Sequence, residues 1–398
     1  MKTAIVNIGG IFSGDINAPF RDGDALLMAD GLIQSVGTLS PAEVEAADVV
    51  IDAAGTFAAP GLIDSHVHIT FGDYTPRQKT VGFLESYVHG GVTSSITASE
   101  VHTPGRPKDP VGVKALAVAA MKCFADYRPG GMKVHAGALI LEPGLTDEDL
   151  REVAHAGLRF VKAGFGAFPS PYDYVPLIES ARRHGLISMV HTGGASIPGS
   201  SGIWAEHLVA MQPDISFHVN GGPIAIPEAG FDRLIHETKV AMQLCTAGNL
   251  RTALLIAQKM TATGTLDRLL IATDTPTGSG IMPLGMLYTI SHLVALGGMA
   301  PEIAIAAATG NNARHFRLNA GVIAPGRDAD VILLDAGTGG SQPDALSAMR
   351  NGDVPSVAAV VTAGIPRFVG ASRNTPRGMR NVRTAHSRIV QTFDGASH

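Results

Sequence analysis

The sequence predicts an α/β protein, a (β/α)8 TIM barrel with a small composite β-sandwich domain assembled from both termini. Three observations predict it. From residue 60 to 319, short apolar strand-like runs alternate with helix-length segments. Residues 1–59 and 320–370 instead read as short strands separated by turns. The histidines, Lys162 and Asp274 fall at the ends of the predicted strands, the face on which such barrels carry their active groups.

The elements follow in order. Strands are expected at 4–8, 25–28, 32–36 and 49–52, with Asp30-Gly31 as a hairpin signal before the third. In the barrel, strands are expected at 134–139, 160–162, 187–191, 215–218 and 269–274. Helices are expected over 112–126, 146–156, 173–184, 228–237, 249–263 and 301–315. Thr146 followed by Asp147, Glu148 and Asp149 is an N-cap with acids in the first turn. After 320, residues 321–335 lead into a strand-like stretch at 356–364. Residues 371–398 mix Arg, Asn, Ser, Thr and Gly with little periodicity and read as a tail or partner arm.

The chain has 398 residues, 45% hydrophobic and 16% charged, enough to bury a large catalytic core plus a smaller one. A net charge of -5 offers no basic field to nucleic acid or to an anionic membrane. No run of 18 apolar residues is present to span a bilayer. Cys123 and Cys245 are too few for a disulfide framework and form no Cys-x-x-Cys pair. The first residues run into Asn7 and a glycine pair, unlike a signal-peptide core. A cytoplasmic enzyme with a small-molecule substrate is expected.

Residues 60–69 read PGLIDSHVHI. Two strand histidines two apart share one face, so His66 and His68 suit one metal ion. The full candidate set is His66, His68, Lys162, His191, His218 and Asp274. Each alone has a plain reading: a strand-end histidine on a carbonyl, a capping Asp, a snorkelling Lys. Together, four imidazoles and an acid at strand ends point to metal ligation. Lys162 follows Leu158-Arg159-Phe160-Val161 and would end a buried strand, where a lone buried ammonium is costly. Carboxylation by CO2 would turn its amine into a carbamate able to bridge two cations. Two divalent ions are expected, zinc first from nitrogen and oxygen ligation, with iron as the alternative.

Tyr74, Arg77, Lys79 and Arg106 lie on loops after early strands and are candidates to hold a substrate carboxylate, Arg through a bidentate grip. Their plain reading is a solvated or salt-bridged loop residue. His135 ends a strand and is a further candidate contact. Gly193-Gly194 and Gly221-Gly222 let backbone approach a ligand, or are plain turns.

Residues 60–68, the later histidines, Asp274 and the closing 325–330 (PGRDAD) together resemble the metal-dependent amidohydrolase superfamily, over about residues 1–370. Residues 72–80 (GDYTPRQKT), 104–109 (PGRPKD), 191–201 (HTGGASIPGSS) and 220–223 (NGGP) are similar to its enamidase branch, which opens the ring of 6-oxo-tetrahydronicotinate. The resemblance implies hydrolysis of a cyclic amide C–N bond in an enamide, lactam or imide, with a carboxylated N-heterocycle as substrate. It implies one ion at His66 and His68, a second at His191 and His218, and Lys162 shared. Asp274 would be the catalytic acid and base, taking a proton from the attacking water and passing it to the leaving nitrogen. The family's tetramers imply a homo-oligomer. Enamidases carry a glutamate at the bridging place, whereas dihydroorotase and hydantoinase carry a carboxylated lysine, as Lys162 would be. An esterase or lactonase would use the same groups. A mononuclear deaminase would place Glu three residues after His218, where Gly221 stands. A non-catalytic scaffold would have lost ligands that this chain retains.

Overall fold

The computed structural model describes residues 1–69, 82–100, 105–196, 200–222, 224–276 and 280–388. A run of parallel strands forms the larger part: β1 (Leu62–Val67), β2 (Val92–Thr97), β3 (Lys133–His135), β4 (Ala138–Ile140), β5 (Phe160–Ala163), β6 (Ile187–His191), β7 (Ile215–Phe217), β8 (Ala241–Cys245) and β9 (Leu269–Ala272). They pair in the orders β3-β2-β1 and β4-β5-β6-β7-β8-β9. Only Ala136 and Gly137 separate β3 from β4. On the other side, a parallel bridge joins Val67 to Thr275, His68 N–H donates to the Thr275 carbonyl at 3.0 Å, and Asp274 N–H donates to the His66 carbonyl at 3.0 Å. The parallel strands and their helices thus take a TIM-barrel-type arrangement.

Helices follow the strands. Pro110–Phe124, Asp147–His155, Val175–Arg183, Glu228–Glu237 and Leu250–Ala262 lie within two residues of the expected bounds. Thr146 caps its helix with a reciprocal bond to Asp149, as the sequence predicts. The stretch 301–315 is split at Thr309, whose φ of -132° breaks it into Pro301–Ala308 and Gly310–His315. Phe83–Val88, Ala205–Met211 and Gly285–Ala295 were not expected. The last is apolar on nearly every side because it is buried, so it lacks the amphipathic period that marks a surface helix. β2 and β8 also escaped the sequence reading, because Ser94, Ser95 and Gln243 interrupt their apolar runs.

Inside the ring, Ile63, Phe160, Ile187, Ile215, Ala241 and Leu270 form one buried cluster, continued by Ala313, Phe316 and Ala320. These positions alternate along each strand with residues packed against the outer helices.

The smaller part has two sheets. One runs Arg383–Ser387, Val49–Asp52, Lys2–Val6, Ala25–Ala29, Leu32–Gly37; the other runs Ile365–Val369, Ser356–Thr362, Val331–Asp335, Phe57–Pro60, Gly10–Phe12, Phe20–Arg21. Both mix strands from the two ends of the chain, and Ile5, Leu26, Met28, Ile51, Val331, Leu333 and Val361 share a cluster. Phe57–Pro60 leads through Gly61 into β1; a Cβ on Gly61 would lie 2.1 Å from Thr93 Oγ1. The PGRDAD segment is a brace: Lys133 Nζ reaches Asp328 at 2.6 Å and buried Asp330 at 2.8 Å.

Residues 371–388, read from sequence as part of a tail, are instead docked. Arg383–Ser387 adds an antiparallel edge strand to Val49–Asp52. Ser372 Oγ donates to the His89 carbonyl and Asn374 Nδ2 to the Ser86 carbonyl, strapping the helix Phe83–Val88. The edge strand is exposed at every residue, so it carries no hydrophobic alternation for a sequence reading to find. Asp335, 1% exposed, accepts from Arg380 N at 2.6 Å and pairs with the Arg380 guanidinium. Truncation after Gly370 strips that buried carboxylate of its cation and should cost about 3 kcal/mol of unfolding free energy in urea titrations. An unchanged midpoint would show that the strap carries no stability.

Candidate metal centre

β1 delivers His66, and the residue after next delivers His68. Asp274 arrives from the turn after β9. His66 Nε2 lies 3.1 Å and His68 Nε2 3.0 Å from the same oxygen, Asp274 Oδ1. One ligand atom from each of the three groups falls within 4.8 Å of the other two, and all three residues are buried. Asp274 has φ +56° and His218 φ +35°. Non-glycine residues in this left-handed region are strained, and such strain gathers at functional sites.

His191, at the end of β6, sets its Nε2 2.8 Å from the Gly194 carbonyl. A carbonyl only accepts, so Nε2 carries the hydrogen and Nδ1 is a lone pair. That lone pair faces His218 Nε2 at 3.1 Å. The His66 and His218 ring centroids are 5.4 Å apart, so the two histidine pairs adjoin. Lys162, on β5, is 1% exposed, and its Nζ lies 4.1 Å from the Phe217 ring centroid. Phe217 in turn packs 4.2 Å from the His66 ring. His66, His68 and Asp274 thus meet, His191 and His218 face each other beside them, and Lys162 stacks on the Phe217 ring that also packs against His66. Gly164 makes room: a Cβ there would meet His191 Cβ at 2.5 Å. Gly193 serves packing, since its Cβ would strike the Ile224 carbonyl at 2.1 Å.

Burial governs the electrostatics. It pulls His191 down to about 4, with Lys162 adding to the effect. It lowers His66 and His218 also, leaving three neutral imidazoles near pH 7. Burial pulls Lys162 down to about 7 against the opposing pull of Asp274. For Asp274, burial opposes the charge, but His66 and His68, when they carry a hydrogen on the nitrogen facing it, outweigh burial and hold the carboxyl well below its usual range. Burial also raises Asp64 to about 7, although Thr273 Oγ1 donates to it at 2.6 Å.

These states test whether a metal fits. His66 Nδ1 lies 2.8 Å from Gln243 Oε1. If Nδ1 carries the hydrogen, the neutral ring turns a lone pair on Nε2 toward the ionised Asp274 oxygen 3.1 Å away. Two electron-rich atoms that close repel unless a cation joins them. The set of imidazole nitrogens and a carboxylate suits a divalent ion such as zinc.

Other candidates stand elsewhere. Tyr74, Arg77 and Lys79 lie outside the described residues. Arg106 is buried, and its guanidinium is engaged by the Glu142 carboxylate, the Phe165 carbonyl at 2.7 Å and the Pro107 carbonyl at 2.9 Å. It braces the loops around the strand ends instead of presenting a free fork to substrate. His135 feels Arg159, Lys133, Arg128 and Asp328 and is not brought to the cluster. Sequence reading missed Gln243 and Asp64. A lone glutamine within the apolar AMQLC run was the available signal for the first.

Residues 57–374 match the model of the amidohydrolase family, and the chain belongs to that family. It is 43% identical over 380 residues to an enamidase of Eubacterium barkeri, covering 95% of this chain and 98% of that protein. The crystal structure of enamidase superimposes with a TM-score of 0.91, covering 96% of this chain and all of that one. An imidazolonepropionase of Streptomyces griseus is 27% identical over 370 residues, covering 86% of this chain and 92% of that protein.

Burial also pulls His89 down to about 4 and His135 to about 3. Below about 6.5 the unfolded chain binds protons that these native histidines refuse, so stability is lost as pH falls from 6.5 toward 4. Urea midpoints of the metal-free protein should drop across that window, and His135→Gln should flatten the drop. A midpoint constant between pH 6.5 and 4 would refute the buried neutral state.

Proposed function

We propose that the protein hydrolyses the C–N bond of a cyclic amide at a two-metal centre, acting on a carboxylated N-heterocycle of the enamide, lactam or imide class. The observation that carries the reading is the convergence of His66, His68 and Asp274 beside the facing His191 and His218. The likeness to enamidase over nearly the whole chain supports the substrate class. His66, His68 and Asp274 would hold one ion, His191 and His218 the second, and Lys162, carboxylated by CO2, both. Zinc is the ion best matched by these donors.

Bound there, divalent metal supplies Lewis acidity toward water and toward the amide carbonyl. The chain's own groups supply the rest. Asp274, ionised and 8% exposed, accepts the proton of the attacking water and returns it to the leaving nitrogen. His66, His191 and His218, neutral by burial, each keep one ring nitrogen as a lone pair. Lys162, near neutrality, has an amine able to take up CO2. We read residues 60–319 as a (β/α)8 barrel and 1–59 with 320–370 as a composite β-sandwich, in a cytoplasmic homo-oligomer.

Asp274→Asn should lower kcat on a ring-conjugated cyclic amide by about 10²–10⁴, followed by ultraviolet absorbance, with the metal still bound. Chelation should abolish turnover and zinc should restore it. Reloading the metal-free protein with zinc in 13C-bicarbonate should raise a carbamate signal that Lys162→Ala lacks. Full activity of the chelated protein would overturn the hydrolase reading, and a missing carbamate signal the bridging lysine.

A further inference from the structure

Beneath His66 runs a file of buried polar side chains where a barrel interior ordinarily carries branched apolar layers. Its members, Asn312, Ser65 and Gln243, are fully buried. Asn312, on the helix Gly310–His315, donates from Nδ2 to the Ile63 and Ile271 carbonyls, each at 2.9 Å. Carbonyls only accept, which assigns the amide nitrogen and leaves Asn312 Oδ1 as an acceptor. Ser65 Oγ donates to it at 2.8 Å. With its hydrogen spent, Ser65 Oγ accepts from Gln243 Nε2 at 2.7 Å, and the Ser65 carbonyl accepts from the same nitrogen at 3.3 Å. Gln243 Oε1 is therefore an acceptor, 2.8 Å from His66 Nδ1. Every link points the same way, starting from two backbone carbonyls on β1 and β9.

The direction matters because a neutral imidazole has two tautomers. With the hydrogen on Nε2, His66 would donate to Asp274 Oδ1, 3.1 Å away, and the pair would quench each other as ligands. With the hydrogen on Nδ1, both atoms keep lone pairs for a cation. We propose that Asn312, Ser65 and Gln243 form a polarised relay that locks His66 in the Nδ1–H tautomer and so sets metal affinity at the His66, His68 and Asp274 site. They are positioning residues, acting through His66 on the proposed metal centre. The Cys245 thiol stands beside the last link, donating to Gln243 Oε1 at 3.5 Å and lying 3.8 Å from His66 Nδ1, a longer contact than the 2.8 Å between Gln243 and His66.

The test uses the whole protein with zinc affinity measured by chelator competition, and 15N-histidine NMR of the metal-free form, His66 being assigned by comparison with His66→Gln. Gln243→Met, which keeps the length and loses the acceptor, should weaken zinc binding about 10–100-fold. It should also move the His66 hydrogen to Nε2. Gln243→Glu, which keeps an acceptor, should retain the Nδ1–H signal. Wild-type affinity and an unmoved tautomer in Gln243→Met would overturn the relay. Should that variant fail to fold, Ser65→Ala is decisive by the same two readouts. A wild-type protein that binds no zinc would refute the metal centre alone, because the tautomer signal would still report on the relay.

Discussion

The contact between Asp274 and the two β1 histidines is the constraint on which the rest depends. Two imidazoles and a carboxylate meet at about 3 Å across the junction of the first and last parallel strands. The backbone bonds that join this seam are the ones that place the side chains: Asp274 N–H to the His66 carbonyl, and His68 N–H to the Thr275 carbonyl. The same residues therefore carry the backbone bonds of the seam and the side chains of the site. A register slip of one residue would turn these side chains away from each other, since strand side chains alternate.

The surroundings serve that seam. Asn312 ties β1 and β9 from below by bonding carbonyls of both. Tyr87, fully buried on the strapped helix Phe83–Val88, bonds Thr275 Oγ1 at the seam itself. Thr275 Oγ1 continues to Thr273 Oγ1 at 2.7 Å and on to Asp64. The strained backbone of Asp274 persists because these bonds hold the residues on either side of it. The smaller part contributes by holding Phe57–Pro60 in its sheet, which sets the entry of β1 and hence the height of His66 and His68.

How far the site was legible in sequence depended on how local each signal was. His66 and His68 sit two apart, and strand geometry alone places them on one face. His191, His218, Lys162 and Asp274 follow apolar runs and so announce strand ends. Arg106 gave no such signal: its chemistry suits an anion, yet Glu142, 36 residues away in sequence, claims it. His135 ends a strand, but β3 is only the first half of a strand that resumes as β4, so its end is not the rim. Gln243 looked like a flaw in a strand pattern and is a partner of His66.

The sequence by itself determined the alternation of strands and helices, the polarity pattern that seats both termini together, and the identity of the six candidate ligands. These follow from local periodicity and residue chemistry. The tertiary structure decided which nitrogen of each histidine faces the centre, that Lys162 is buried beside Phe217, and that the C-terminal segment closes on Asp335. Those outcomes depend on contacts between residues far apart in the chain. Burial then sets their charge states, because desolvation belongs to the folded interior and not to any residue alone.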